Sequence, residues 1–457
     1  MSRPEKDAPG ADVNVVQGLA VALAVYLMAT FHRTSLGVAG LEARERFDIS
    51  PAQLSVFIFV QIGVYASMQI PVGILVDKFG PRRLLLAAAA VMGLAQLAFA
   101  FVPNYGGALV ARGILGVGDA LTFVSVLRFA AEHVSPRRYP MIVAMTGALG
   151  ALGNIAATVP LTLALHSLGW SPTFAGAATL SLVVAALVFV LAPRDGAAQL
   201  RMRRSRQDIA AGLRRVGAGV ATVWRVPGTK LGFWIHFTNT CLMATLTVLW
   251  GQPYLIEQQG FAQESASAVL TAMVVLQVMT TLTIGTVIGR RPGVRTPLGI
   301  GVGLATVASW LVLLTVVGSG APDWLVIGVF LLSALGGPAS TVGFALARDY
   351  NDVGYVGTAT GIINVAGWAA CVVACLIIGI TLDVTGTDPV DYRHAFLLAM
   401  AIPLLGSVQS VRWWRRTRHA SLAALARGES VPVHVNPTRW DLPRVDADIT
   451  PPTDRTL

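Results

Sequence analysis

The chain has 457 residues, of which 54% are hydrophobic and only 13% charged, and its formal net charge is +10. Soluble proteins carry roughly 25% charged residues, so the two or three soluble domains that the length would allow are excluded. A nucleic-acid binder would explain the sign of the charge but not its scarcity. An integral membrane protein explains both, provided that the basic residues gather on one side of the bilayer.

A bilayer-crossing helix needs about 20 mostly apolar residues. Twelve stretches meet that requirement, near 14–40, 53–76, 84–103, 107–129, 140–165, 172–193, 231–256, 265–288, 296–318, 324–347, 355–382 and 394–413. They are too long for barrel strands and lack the apolar–polar alternation of one. The first is too long for a signal-peptide core and has no convincing cleavage site, so it is read as retained. With the N-terminus inside, the inner connections hold Lys78, Arg82, Arg83, Arg137, Arg138, Arg290, Arg291, Arg295 and Arg348, whereas the outer loops hold Arg44, Arg46 and Arg393. This asymmetry predicts a multi-pass protein of the cell membrane with both termini cytoplasmic. Cys241, Cys371 and Cys375 all fall inside spans and read as small packing residues.

The stretches divide the chain into an N-terminal tail (1–13), a six-helix bundle (14–193), a basic cytoplasmic linker (194–230), a second six-helix bundle (231–414) and a tail (415–457). Within the linker Ile209, Leu213, Val216, Val220 and Val223 recur at helical spacing beside Arg214 and Arg215. An amphipathic helix on an anionic leaflet and a partly ordered basic linker both fit that pattern. The tail, with Pro432, Pro437, Pro443, Pro451 and Pro452, reads as disordered. The halves resemble each other weakly: Thr146, Gly147 and Gly153 recur as Thr360, Gly361 and Gly367, and Gly80-Pro81-Arg82 as Gly293-Val294-Arg295. Internal repeats of this kind mark secondary transporters, whose site lies between the halves near mid-membrane.

Between the second and third spans stand Gly73, Asp77, Gly80, Pro81, Arg82 and Arg83. Gly80 and Pro81 suit a sharp turn between antiparallel helices, Gly73 permits close helix contact, and Asp77 can pair with Arg82 or Arg83 or accept from a helix N-terminus. The spacing closely resembles the signature loop of the major facilitator superfamily. The resemblance covers roughly 14–414 and implies an all-α fold of twelve transmembrane helices in two pseudo-symmetric six-helix bundles, which rock about a central site while this loop latches the cytoplasmic side. In the second-half counterpart, with Gly285 set against Gly73, Gly289 stands where the Asp belongs. Arg112, Gly116 and Gly118 resemble the superfamily's fourth-helix motif. Gly147, Gly150, Gly153 and Pro160 do not form the fifth-helix pattern of drug–proton exporters.

Three ionised side chains fall well inside spans: Arg33, Arg112 and Asp119. Each costs about 2.5–3.5 kcal/mol at mid-bilayer, so a merely structural apolar helix would not carry it. The segment from Phe31 to Ala39, centred on His32, Arg33 and Thr34, resembles the first helix of the anion:cation symporter branch of the superfamily. That likeness implies that Arg33 grips a carboxylate or phosphate, a task that suits a permanently charged, bidentate guanidinium. An internal pair with Asp119 is the structural alternative. Asp119 lies two turns beyond Arg112, about 10 Å along a helix axis, too far for a direct pair unless both side chains reach. It stands where the branch usually has a proton-coupling Glu, and a carboxylate in a dry cavity has a raised proton affinity. A permanent pair with either arginine is again the alternative. Arg112 reads as a packing and coupling element.

Further polar residues in the spans could line a substrate cavity: Tyr26, His32, Gln61, Tyr65, Gln69, His236, Asn239, Gln277, Asn364 and Trp368. Such side chains more often bond to neighbouring helices than to ligand. No metal-ligand cluster, phosphate-cradling loop or catalytic constellation is present in the sequence pattern. The expectation is therefore a monomeric transporter without cofactor or enzymatic activity, whose partners are a small-molecule substrate, protons and the lipid bilayer, not nucleic acid. Proton-coupled symport of an organic anion leads. A proton-coupled efflux antiporter for drugs or metabolites, a nitrate-type transporter and a non-transporting membrane sensor are the alternatives.

Overall fold

A computed structural model describes residues 9–134, 139–193, 219–317, 320–352, 355–429 and 431. The described residues are almost entirely helical and contain no strand. The first half comprises α1 (Pro9–Thr34), α2 (Leu36–Phe47), α3 (Pro51–Phe79), α4 (Pro81–Phe101), α5 (Tyr105–His133), α6 (Tyr139–Ala156), α7 (Val159–Leu168) and α8 (Trp170–Leu191). Local chemistry sets the boundaries. Ser50 and Gln53 form a reciprocal capping box ahead of Pro51, and Asn104 caps α5 by accepting from the Gly107 N–H. Between α3 and α4, Gly80 adopts φ 84°, which only glycine takes without strain, and Pro81 then opens α4. That is the turn the sequence predicts.

Two of the expected first-half spans are broken helices. The first span breaks at Ser35, where Ser35 Oγ bonds back to the His32 carbonyl (2.9 Å) and Thr34 Oγ1 to that of Thr30 (2.9 Å). Such back-bonding bends helices. The fifth is divided into α6 and α7 just before Pro160, which has no N–H to continue the ladder.

The second half comprises α9 (Pro227–Thr245), α10 (Gln263–Arg290), α11 (Arg295–Val312), α12 (Asp323–Ala334), α13 (Gly336–Ser340), α14 (Val342–Tyr350), α15 (Val356–Thr385), α16 (Pro389–Ala399) and α17 (Ala401–Ala426). Among the described residues eleven helices are long and apolar enough to cross a bilayer, where the sequence leads one to expect twelve. The remaining span is α9 and its extension, helical to Gln258 through two π-helical stretches, Leu246–Trp250 and Tyr254–Gln258. Its α-helical part carries Lys230, His236, Thr238, Asn239 and Thr240, which lower its hydropathy. At the other end of the chain, α17 continues past residue 414 to Ala426 through a run of strong helix formers, Arg, Ala and Leu. The proposed amphipathic positions Ile209, Leu213 and Val216 and the prolines of the tail lie outside the described residues; Val220 and Val223 stand in a helical stretch over 219–225.

Large apolar side chains are exposed around the outside, among them Phe101, Val190, Val316, Trp324 and Val384, far more than an aqueous surface tolerates. Inside are two main cores. One lies within the first half and includes Val25, Met92, Leu115 and Phe129. The other, rich in Phe57, Phe99, Trp170, Trp250 and Trp310, draws on both halves. Hydrogen bonds between the halves accompany it: Ser55 Oγ to the Cys375 carbonyl (2.7 Å), Thr158 to Thr271 (2.7 Å), Thr162 to Ser267 (2.7 Å) and Gln263 Nε2 to Glu42 Oε1 (2.6 Å). Gly37 packs directly on the Thr247 carbonyl, a seam too tight for any side chain. The halves are thus sealed at the end formed by α2 and the start of α3. Towards the Gly80 end, Gly147, Gly285 and Gly361 face open space. The three cysteines are free and buried.

Candidate functional site

Arg33 projects from the last turn of α1 and Asp119 from the middle of α5. The two form a bidentate ion pair, Nε to Oδ2 at 2.8 Å and Nη2 to Oδ1 at 2.5 Å. Their side chains are 9% and 1% exposed. The sequence left open whether Arg33 binds a ligand or pairs internally, and in this conformation it is paired. The guanidinium also lies over the Tyr65 ring at 4.7 Å and the Trp368 ring at 5.2 Å. Tyr65 belongs to α3 and Trp368 to α15, and their rings meet edge to face at 6.3 Å. The cation therefore sits where the two halves touch. Asn364, one turn before Trp368, reaches Tyr65. Tyr26 packs on Phe123 (5.6 Å) and against Gly150 of α6, completing the wall beneath Arg33.

An ion pair this dry is held by geometry. Two parallel charge-assisted bonds and two aromatic faces offset the desolvation. Removing one partner would leave the other charge buried, at a cost of about 3–5 kcal/mol.

Arg112 is not part of this pair. Fully buried, it stacks on Phe99 at 5.2 Å and points Nη1 at the His32 carbonyl (3.4 Å) and Ser35 Oγ (3.5 Å). The expected Arg–Asp–Arg set is therefore split into a central pair and a separate polar pocket among α1, α4, α5 and α8. Gln61, a turn before Tyr65, is buried with its backbone against Gly116.

The softer candidates of the second half are divided. Asn364 and Trp368 join the Arg33 cluster. His236 is bonded to the Ser340 carbonyl at 3.1 Å and packs on Phe344. Asn239 donates to the Ile235 and Gly299 carbonyls, both at 2.9 Å, and Gln277 lies along Gly337. These three side chains knit the second bundle together.

The family model of the Major Facilitator Superfamily matches residues 17–250 and again 232–447, so both halves are covered. The chain belongs to the major facilitator superfamily. Like its members it is a membrane transporter and not an enzyme. The chain is 26% identical over 408 residues to the probable sulfoacetate transporter SauU of Cupriavidus necator, an alignment covering 86% of this chain and 92% of SauU. It is 20% identical to the probable galactarate/D-glucarate transporter GudP of Escherichia coli, covering 80% and 87%. Among solved structures, an inward-facing bacterial homologue of the human lysosomal transporter Spinster superposes with a TM-score of 0.69 at 12% identity, covering 90% of this chain and 97% of that one. At that identity the likeness concerns the fold.

In this superfamily member the signature loop is partly described. Gly73 and Asp77 lie on α3, with side chains outside the described residues. Arg82 donates from Nε to the Ala192 carbonyl (2.8 Å) and from Nη2 to that of Phe189 (2.5 Å), closing the C-terminus of α8. Arg83 is exposed. Residue types alone left two features unread. Gln96 is fully buried with both amide atoms unpartnered among the described residues, and His32 Nε2 meets Ser181 Oγ at 2.7 Å. A buried amide in an apolar helix was the available signal for Gln96; nothing local to the sequence points to Ser181.

Proposed function

We propose that this protein carries small organic anions across the cell membrane together with protons, with Arg33 as the anion grip and Asp119 as the proton-bearing carboxylate. The observation that carries the reading is the dry, bidentate Arg33–Asp119 pair at the contact between the halves. A proton on Asp119 removes the counter-charge, and the carboxylate or sulfonate of the substrate takes its place on the guanidinium. Tyr65 and Trp368 grip the same cation from opposite halves, so occupancy is felt by both bundles. Loss of the proton lets Asp119 reclaim Arg33 and expel the substrate. That two relatives are named for sulfoacetate and for galactarate and glucarate, all small anions, supports this chemistry. The excess of basic residues in alternate loops supports cytoplasmic termini, and the sealed α2–α3 end would then face outward.

Uptake of labelled sulfoacetate and D-glucarate into proteoliposomes tests the reading. One of the two should accumulate when the outside is acidified, and Arg33→Lys should cut that uptake by about 100-fold, because an ammonium cannot make the bidentate contact. Uptake indifferent to both Arg33 and the proton gradient would overturn the mechanism. Flux only in the outward direction, driven by inward proton flow, would make the protein an exporter.

A further inference from the structure

The lipid-facing side of the second half carries a groove of about 540 Å³ between α11 and α17. Its walls are apolar and open to the hydrocarbon: Leu304, Leu404 and Val408 are each about half exposed. Its far end is different in kind, closed by Arg412, Arg415 and Arg416. All three are exposed, and among the described residues no acidic side chain lines the groove. Arg412 follows Leu404 by two turns, about 12 Å of helix rise. Apolar wall and basic end are therefore spaced like the first carbons of an acyl chain and a headgroup. Trp413 anchors that level. Lys230 lies over its ring at 4.5 Å and Arg416 at 4.9 Å, and tryptophan so placed belongs at the membrane interface.

We infer that this groove binds one anionic phospholipid, its acyl chain along Leu304, Leu404 and Val408 and its phosphate on Arg412, Arg415 and Arg416. Three cations with no acidic neighbour among the described residues of the groove, facing a lipid-exposed apolar channel, match an anionic headgroup with attached chains. A zwitterionic lipid would leave the positive charge uncompensated, and a soluble anion would leave the channel unfilled. The site is separate from the Arg33 pair and does not depend on the transported substrate.

Native mass spectrometry of the full chain in detergent, titrated with phosphatidylglycerol, phosphatidylcholine or inorganic phosphate, tests it. Phosphatidylglycerol should be retained as a single tight adduct, with phosphatidylcholine at least about tenfold weaker. The triple change Arg412→Gln, Arg415→Gln and Arg416→Gln should abolish that preference. Val408→Trp keeps the charges and fills the channel, and it should weaken phosphatidylglycerol binding by a similar factor. Equal retention of both lipids, an undiminished adduct in either variant, or displacement of the lipid by millimolar phosphate would overturn the assignment.

Discussion

Arg33 is held at once by a carboxylate and two aromatic faces, and that determines what Asp119→Asn should do. The amide is neutral and cannot return two charge-assisted bonds, so a buried guanidinium is left uncompensated. Purified Asp119→Asn should unfold at lower temperature than the parent, and transport should lose its dependence on the proton gradient. The same vacancy makes the variant hungry for an anion. A transported anion should raise its melting temperature by more than it raises that of the parent, in which the substrate must first displace Asp119. An equal rise in both proteins would mean that the anion does not seat on Arg33. Both residues were legible because a charge in an apolar stretch has few reasons to be there. Their pairing was not, since the partners stand 86 positions apart on different helices. Gln96 escaped notice because an uncharged amide in an apolar stretch is a weaker signal than a full charge, although burying it unpaired is costly.

Among the elements, α2 behaves as an outer strap. It follows the bend at Ser35, lays Gly37 on the Thr247 carbonyl and presents Glu42 to Gln263 of α10. Burial holds the Glu42 carboxyl above its ordinary value of 4.5, reinforced by the charge of Glu45 and opposed by hydrogen bonds from its own backbone and from Gln263. Arg44, Glu45, Asp48 and Glu257 share its cavity. Opening the outer end would return Glu42 to water and to the ordinary value. The closed end therefore binds the proton more tightly and gains population as pH falls through the window just above 4.5, losing it as pH rises. Spin labels at Pro103→Cys and Val390→Cys should report shorter distances on acidification, and Glu42→Gln should flatten that response. A pH response unchanged in Glu42→Gln would assign the effect elsewhere. Hydropathy revealed where nearly every span lies but not how each is built. The π-helical stretches beyond α9 change hydrogen-bond register without changing apolar length, so only Pro253, which lacks a donor, hints at them.

At the scale of the whole molecule the two cores divide the labour. The one whose buried members all come from the first half holds that bundle together, while the one that crosses the seam must be taken apart for the outer end to open. The twelvefold count and the inner repeat announced two bundles, but side-chain periodicity carries no information about which faces of the bundles meet in a given state. The seam is also tight at Gly379, where an added Cβ would run into Ser55 and the Pro51 carbonyl on α3. Both are fixed, Ser55 by its own bond to the Cys375 carbonyl and Pro51 by the capping box at Ser50. Gly379→Val cannot be absorbed by a flexible side chain, so the halves must part there. Within either bundle Gly379 meets no such obstacle, and the variant should fold. It should lengthen the distance between labels at Pro103→Cys and Val390→Cys, slow net uptake at least about tenfold, and leave anion binding to Arg33 intact by thermal shift. If the label distance stays that of the parent, the seam at Gly379 is not what holds the outer end shut, and the cross-half aromatic core must do so without it.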